Sequence, residues 1–143
     1  MDKFHAVTWV QRRMLNPLVR AVLERRLRLP GYALLETTGR HSGLPRRTPV
    51  GDGAVGSTFW VVSEHGRRSA YVRNIAADPR VRVCIRGRWY AGTAHLLPAD
   101  DPRARQRELA RHLPGSQLNA LAVRSMGTDL LTVRVDLDAP AGP

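Results

Sequence analysis

Residues 81–97, Val-Arg-Val-Cys-Ile-Arg-Gly-Arg-Trp-Tyr-Ala-Gly-Thr-Ala-His-Leu-Leu, decide the fold class. Val81, Val83 and Ile85 alternate with Arg82, Cys84 and Arg86, the two-residue period of a strand with one buried face. Gly87-Arg88 then turns the chain into a partner running from about Trp89 to Leu97. No helical stretch separates the two strands, so they must run antiparallel. A doubly wound nucleotide fold needs strands and helices in regular alternation, and its phosphate-binding signatures G-x-G-x-x-G and G-x-x-x-x-G-K-[ST] are missing from the sequence.

Upstream, Thr58–Ser63 with Phe59, Trp60, Val61 and Val62 reads as a strand buried on both faces, at the centre of the sheet. Before it come a turn with Gly51, Gly53 and Gly56, a short strand over Arg47–Val50, and a strand from Tyr32 to Thr38. Residues 70–78 form a short helix stopped before Pro79. Asn16-Pro17 opens an N-terminal helix whose Leu18, Val19, Val22, Leu23 and Leu27 share a face, and Pro30-Gly31 closes this helical segment of residues 1–30. Downstream, Asp100 or Asp101 with Pro102 starts a helix and Ser116 caps another through Met126. Leu131, Val133, Val135 and Leu137 then line a final strand, followed by a disordered tail, Ala139–Pro143. The order implies a mostly antiparallel α+β domain over residues 31–138, and closure into a small barrel would remove its edges.

The 143 residues carry 23 Lys plus Arg against 12 Asp plus Glu, a net charge of +11, with 43% apolar residues, enough for one domain with its own core. All the basic residues except Lys3 are arginine, a skew that genome composition produces as readily as selection for forked phosphate contacts. Such a charge needs nucleic acid, an anionic membrane surface or a small polyanion as its partner. Nucleic acid is disfavoured, because the basic residues are dispersed and two of the eight aromatics, Phe59 and Trp60, fall in a buried strand. The basic face of the N-terminal helix is read as the solvated side of a packed helix, with peripheral docking at the inner membrane face as the alternative. No apolar run approaches the roughly 18 residues of a membrane span, and Cys84 is the single cysteine, so a reducing cytoplasm is expected. Cys84 reads as a packed thiol, and the five scattered histidines lack metal-site spacing.

The chemistry concentrates in Gly39-Arg40-His41-Ser42-Gly43-Leu44-Pro45-Arg46-Arg47-Thr48-Pro49. Two glycines allow close approach of the backbone to a ligand, Ser42 and Thr48 offer hydroxyls, and Arg40, Arg46 and Arg47 bring three positive charges to one turn. The pattern suits an oxyanion clamp; an arginine-rich surface hairpin is the alternative.

Thr37 to Pro49 also resembles the signature of the deazaflavin-dependent nitroreductase family. That family's second segment, a strand into a Ser-containing loop followed by aromatic-x-x-Asn-hydrophobic-x-Ala-x-Pro, is matched by Ser63-Glu64-His65-Gly66 and by Tyr71-Val72-Arg73-Asn74-Ile75-Ala76-Ala77-Asp78-Pro79. The resemblance spans about Asn16 to Leu137. It implies a split β-barrel binding coenzyme F-420, a deazaflavin whose phosphodiester tail ends in an oligoglutamate chain, with FMN as the alternative cofactor.

By this resemblance Arg40, His41, Ser42, Arg46 and Arg47 hold the phosphate and acidic tail, and Pro49, Val50 and Gly51 line the deazaflavin ring. Ser63, Glu64 and His65 face the polar edge of the ring, and Asn74 sits nearby. Where family members often carry a lysine, this chain has Ser63-Glu64-His65-Gly66, and Arg67 or Arg68 is the substitute cation. The implied activity is hydride transfer from the reduced coenzyme to a quinone, a nitro compound or an activated alkene. Ser63, His65 or water donates the proton, since residues 98–143 contain no Tyr, Trp or Phe. A homodimer is compatible with such a barrel. The competing reading is a non-catalytic split barrel that carries a flavin, haem or fatty acid.

Overall fold

The computed structural model describes residues 31–112 and 129–141. The expected N-terminal helix and the helix from Ser116 to Met126 lie outside them. Seven strands form one sheet: β1 (Tyr32–Thr38), β2 (Pro45–Gly51), β3 (Ala54–Val55), β4 (Thr58–Ser63), β5 (Arg80–Ile85), β6 (Arg88–Leu97) and β7 (Leu131–Leu137). Their order is β2-β1-β5-β6-β7-β4-β3. Every neighbouring pair is antiparallel.

The two edge strands of this sheet are consecutive in the chain, separated only by Asp52 and Gly53. In a flat sheet, strands spaced about 4.8 Å apart would put these edges about 29 Å from each other. The link can reach about 11 Å. The sheet therefore rolls up until its edges approach, leaving a barrel split along β2 and β3. At the link, the Trp60 N–H donates to the Gly53 carbonyl at 3.0 Å. A Cβ on Gly53 would overlap the Trp60 carbonyl, so only glycine fits there.

Inside the barrel, Ala33, Leu35, Phe59, Val61, Val83, Val133 and Val135 belong to one apolar core. The alternation expected over Val81–Ile85 is present, with one addition: Cys84 is buried too. It pairs with Leu34 of β1, also fully buried, so β1 is covered on both faces. The expectation that Thr58–Ser63 is the doubly buried central strand is corrected. β4 is next to the edge and alternates between buried and half-buried residues, because β3 flanks only its first two. Trp60 and Val62 face outwards, and the Arg105 guanidinium lies 3.8 Å from the Trp60 ring centroid.

Two helices complete the described fold. The first, α1 (Ala70–Ala77), buries Val72, Asn74 and Ile75, and Ile75 joins the barrel core. The second, α2 (Pro102–His112), begins where Asp101 Oδ1 accepts the N–H groups of Arg103 and Ala104 at 3.1 and 3.2 Å. The hairpin turn holds Arg86 and Gly87 at φ 49° and 84°, a pair of left-handed residues that matches strand twist. Ala139–Ala141 does not trail from the domain: the Ala141 N–H donates to the Gly56 carbonyl at 3.0 Å, and Ala141 packs on the core.

Candidate functional site

The turn Gly39–Leu44 joins β1 to β2 and is closed by its own backbone. The Gly39 N–H donates to Leu44 O and the Gly43 N–H to Gly39 O, both at 2.8 Å. Gly43 adopts φ 70°, and a Cβ on Gly39 would stand 2.7 Å from Ser42 Oγ. Ser42 Oγ accepts the Leu44 N–H at 3.1 Å and a weaker bond from Arg46 Nη2 at 3.4 Å. This shape holds the Arg46 guanidinium beside the Ser42 hydroxyl on the exposed side of the turn.

Helix α1 fixes the other side of the turn through one buried amide. Asn74 Oδ1 accepts both the backbone N–H of Arg40 at 3.2 Å and its Nη1 at 3.0 Å, while Asn74 Nδ2 donates to Thr37 Oγ1 at 3.1 Å. Arg40 Nη1 also reaches the Ala70 carbonyl at 3.5 Å. Asn74 is only 3% exposed, so it locks strand, turn and helix together from within.

Ser63 ends β4 and is fully buried. Its hydroxyl meets Ser69 Oγ at 2.9 Å and the Gly66 carbonyl at 3.3 Å. Tyr71 is its third partner: burial pushes the phenol up to about 12, opposed by the hydrogen bond with Ser63 and reinforced by the Glu64 charge. These hydroxyls pin the bend Glu64–Gly66. Gly66 has φ 54°, and a Cβ there would lie 2.5 Å from the Asp129 carbonyl. Glu64 and His65 are half-buried on this bend.

The topology relates turn and bend. Past Phe59, β4 has no strand on its β3 side, and β2 is unpaired on the side away from β1. The two free edges diverge from the Asp52-Gly53 link, one towards the Gly39–Leu44 turn and the other towards Ser63–Gly66. Pro49, Val50 and Gly51 lie at the linked end of β2. Val50 points into the core, so only its backbone is available at the split.

Arg47 goes elsewhere. Its Nε donates to Glu36 at 2.9 Å, Arg82 holds the same carboxylate at 2.8 and 3.0 Å, and both guanidiniums lie over Trp89 at 4.8 and 4.7 Å from its ring centroid. Burial raises the Glu36 pKa, but the Arg82 and Arg47 hydrogen bonds and charges outweigh it and leave the carboxyl below its ordinary value. By contrast, Arg40 and Arg46 have no carboxylate partner among the described residues. A glycine turn carrying a serine hydroxyl and the Arg40 guanidinium, with Arg46 following it on β2, is a donor set suited to a phosphate or carboxylate.

Residues 6–138 match the sequence profile described as F420H(2)-dependent quinone reductase. The chain belongs to that family. Coenzyme F-420 is the cofactor on which the family depends, and the chain is an F-420-dependent oxidoreductase. No curated protein matches it. Among solved structures, the F420-H2 dependent reductase FDR-A is 20% identical, over 73% of this chain and 93% of that one, with a TM-score of 0.53. A chain described as a domain-swapped dimer is 18% identical over 91% and 98%, with a TM-score of 0.56. The heme storage protein of Vibrio cholerae is 13% identical over 90% and 92%, with a TM-score of 0.54. At these identities the likeness establishes the fold, a split β-barrel.

For a member of this family, the residues the motifs singled out fall into three places. Arg40, His41 and Ser42 share the turn, with Arg46 just beyond it on β2 and Asn74 buried behind it; Ser63, Glu64 and His65 share the bend; Pro49–Gly51 lie along the split. Sequence reasoning did not single out Thr37, Ser69 and Glu36 as parts of this machinery. Ser69 carried one signal, a serine immediately before a helix. Glu36 carried none, since its partners lie on β2 and β5 and its role emerges only from strand pairing.

Proposed function

We propose that this protein transfers a hydride equivalent from reduced coenzyme F-420 to a quinone, with nitro compounds and activated alkenes as further acceptors. The observation that carries the reading is the pair of guanidiniums without a carboxylate partner among the described residues, Arg40 held at α1 and Arg46 beside Ser42, on the two sides of a glycine turn at one end of the split. These residues take the phosphate of the coenzyme. The edge of β2 from Pro49 to Gly51 flanks the ring, and the Ser63–His65 backbone meets its polar edge. When bound, the coenzyme supplies the hydride from a ring carbon, so no side-chain nucleophile is required.

The remaining work belongs to the chain's own residues. Asn74 orients Arg40. Ser63, buried beneath Ser69 and Tyr71, shapes the bend, which leaves His65 or water to deliver the proton. Arg47 stabilises the sheet through Glu36 and Trp89. We include a homodimer in the reading on the strength of the domain-swapped relative, and light scattering checks it. Among the described residues no helix is long and apolar enough to cross a membrane.

The test is a fluorescence titration comparing coenzyme F-420, FMN and NADPH, followed by addition of menadione or a nitroaromatic to the reduced coenzyme. Binding at micromolar concentration with consumption of the coenzyme is expected. Arg40→Ala with Arg46→Ala should weaken binding at least tenfold, as loss of two charge-assisted contacts implies; unchanged affinity removes the assignment. Tight binding without turnover favours the carrier reading, which the fold shared with a heme storage protein supports.

A further inference from the structure

Consecutive residues of a strand face opposite ways, and β1 uses both sides. Thr37 turns inwards to Asn74, behind the turn assigned above to the coenzyme, while its neighbour Glu36 turns outwards to Arg47 and Arg82. On that outer face the sheet holds a cleft of about 350 Å³, bounded by Glu36 on β1, Pro45 at the start of β2, Arg80 and Arg82 on β5 and Ala91 on β6. Small-molecule sites begin at about 300 Å³. Ala91 accounts for the hollow: it shares its face with Trp89 and Thr93, and a single methyl group between those larger side chains leaves the floor low.

Arg82 is held there in one pose. Its Nε and Nη2 donate to the two oxygens of Glu36 at 2.8 and 3.0 Å, and its guanidinium lies 4.7 Å from the Trp89 ring centroid. The Glu36 side chain is only 10% exposed, so the anchor is withdrawn from solvent, whereas the Arg82 side chain is 47% exposed. The two N–H groups bonded to Glu36 lie on one edge of the guanidinium. The others, on Nη1 and Nη2, have no hydrogen-bond partner among the described residues and form the second fork of the group, which also fits a carboxylate.

The two ends of the cleft differ in charge. Arg47 and Arg82 share the single Glu36 carboxylate, which leaves one positive charge over. Arg80 is matched by Asp138 at 2.8 Å, and Asp78 Oδ1 accepts its backbone N–H at 3.1 Å. One negative charge is therefore favoured at Arg82, and none at Arg80. Ala91 and Pro45 offer apolar surface in the same cleft.

We propose that this outer-face cleft binds a small organic monocarboxylate, with the carboxylate on the free fork of Arg82 and the apolar body against Ala91 and Pro45. A fork already oriented by a buried carboxylate loses little freedom when it takes a second one. The site lies on the opposite face of β1 from the coenzyme turn and does not depend on the coenzyme reading.

The test follows binding by two-dimensional amide NMR, with benzoate as the probe, benzamide as its neutral counterpart and inorganic phosphate as an anion without an apolar body. Benzoate should give saturable shifts at the Ala91 amide and the Trp89 indole at millimolar concentration, unchanged by an excess of coenzyme F-420. Benzamide and phosphate should bind at least about fivefold more weakly, the worth of an exposed charged contact. Ala91→Leu fills the cleft without touching an ion pair and should weaken benzoate at least about tenfold with the melting temperature unchanged. Arg82→Lys keeps a charge beside Glu36 but lacks the second fork, and should weaken benzoate likewise. Shifts that persist in Ala91→Leu, equal binding of benzamide or phosphate, displacement of benzoate by the coenzyme, or no saturable shift at either reporter would each overturn the site.

Discussion

Asn74 holds Arg40 twice, at its backbone N–H and at its guanidinium, through a single side-chain oxygen. The buried amide thereby sets both the path of the turn and the direction of its charge. Removing the amide leaves the Arg40 N–H and the buried Thr37 hydroxyl without their partner, at about 1–3 kcal/mol, so Asn74→Ala should lower stability by that amount and weaken coenzyme binding about tenfold. Asn74→Asp keeps the acceptor but sets a negative charge beside Arg40, so affinity should fall further than for alanine. Melting curves read against titrations check this; equal affinity losses for the two variants would contradict it.

Glu36 makes stability sensitive to acid. Its pKa is lowered in the folded state, so its contribution is complete above the ordinary carboxylate range, near pH 4.3, and disappears as pH falls through the lower folded value. Glu36→Gln should cost about 1–3 kcal/mol at pH 7 and flatten the acid limb of the unfolding curve. Arg47→Ala should likewise lower the melting temperature more than it lowers coenzyme affinity.

Tyr71 acts at the other end of the pH scale. Its phenol, raised to about 12, keeps its proton more tightly when folded than when unfolded. The stabilisation is therefore complete below about pH 10 and is lost as pH rises through the folded value. Absorbance at the tyrosinate band should show one of the three tyrosines ionising later than the others. Tyr71→Phe should remove both the late step and the corresponding alkaline loss of stability.

Gly53→Ala tests the roll of the sheet. A methyl group would overlap the Trp60 carbonyl, which is backbone and cannot swing aside. Loss of soluble protein, or destabilisation by about 3 kcal/mol or more, is expected. Gly56→Ala, in the turn between β3 and β4, meets nothing within 4 Å but requires φ 61°, so its cost should be smaller, about 1 kcal/mol.

Much of the fold was readable because its signals are local. Val81–Ile85 with Gly87-Arg88 announced a hairpin, and Pro79 marked the end of α1. The position of β4 was not readable, because an apolar run such as Phe59–Val62 looks alike wherever its strand stands in the sheet. What distinguishes it is the two-residue length of β3, hidden within a glycine-rich turn. In the site, the turn was conspicuous through its residue types, whereas the division between Arg46, facing outwards beside Ser42, and Arg47, bound to Glu36, depends on the two-residue alternation of β2 read against β1. The depth of Ser63 likewise depends on Ser69 and Tyr71, which reach it only after the chain has bent through Gly66.

The short Asp52-Gly53 connection also governs how the molecule can yield. With one end of the gap stapled by the chain itself, small movements of the two rims can only be those of tongs, widest at the tips and nil at the pivot. On the reading proposed above, a guest would enter beside Arg40 and Arg46 and be gripped last near Gly51, so stiffening the pivot should slow entry and departure together while leaving the grip itself intact.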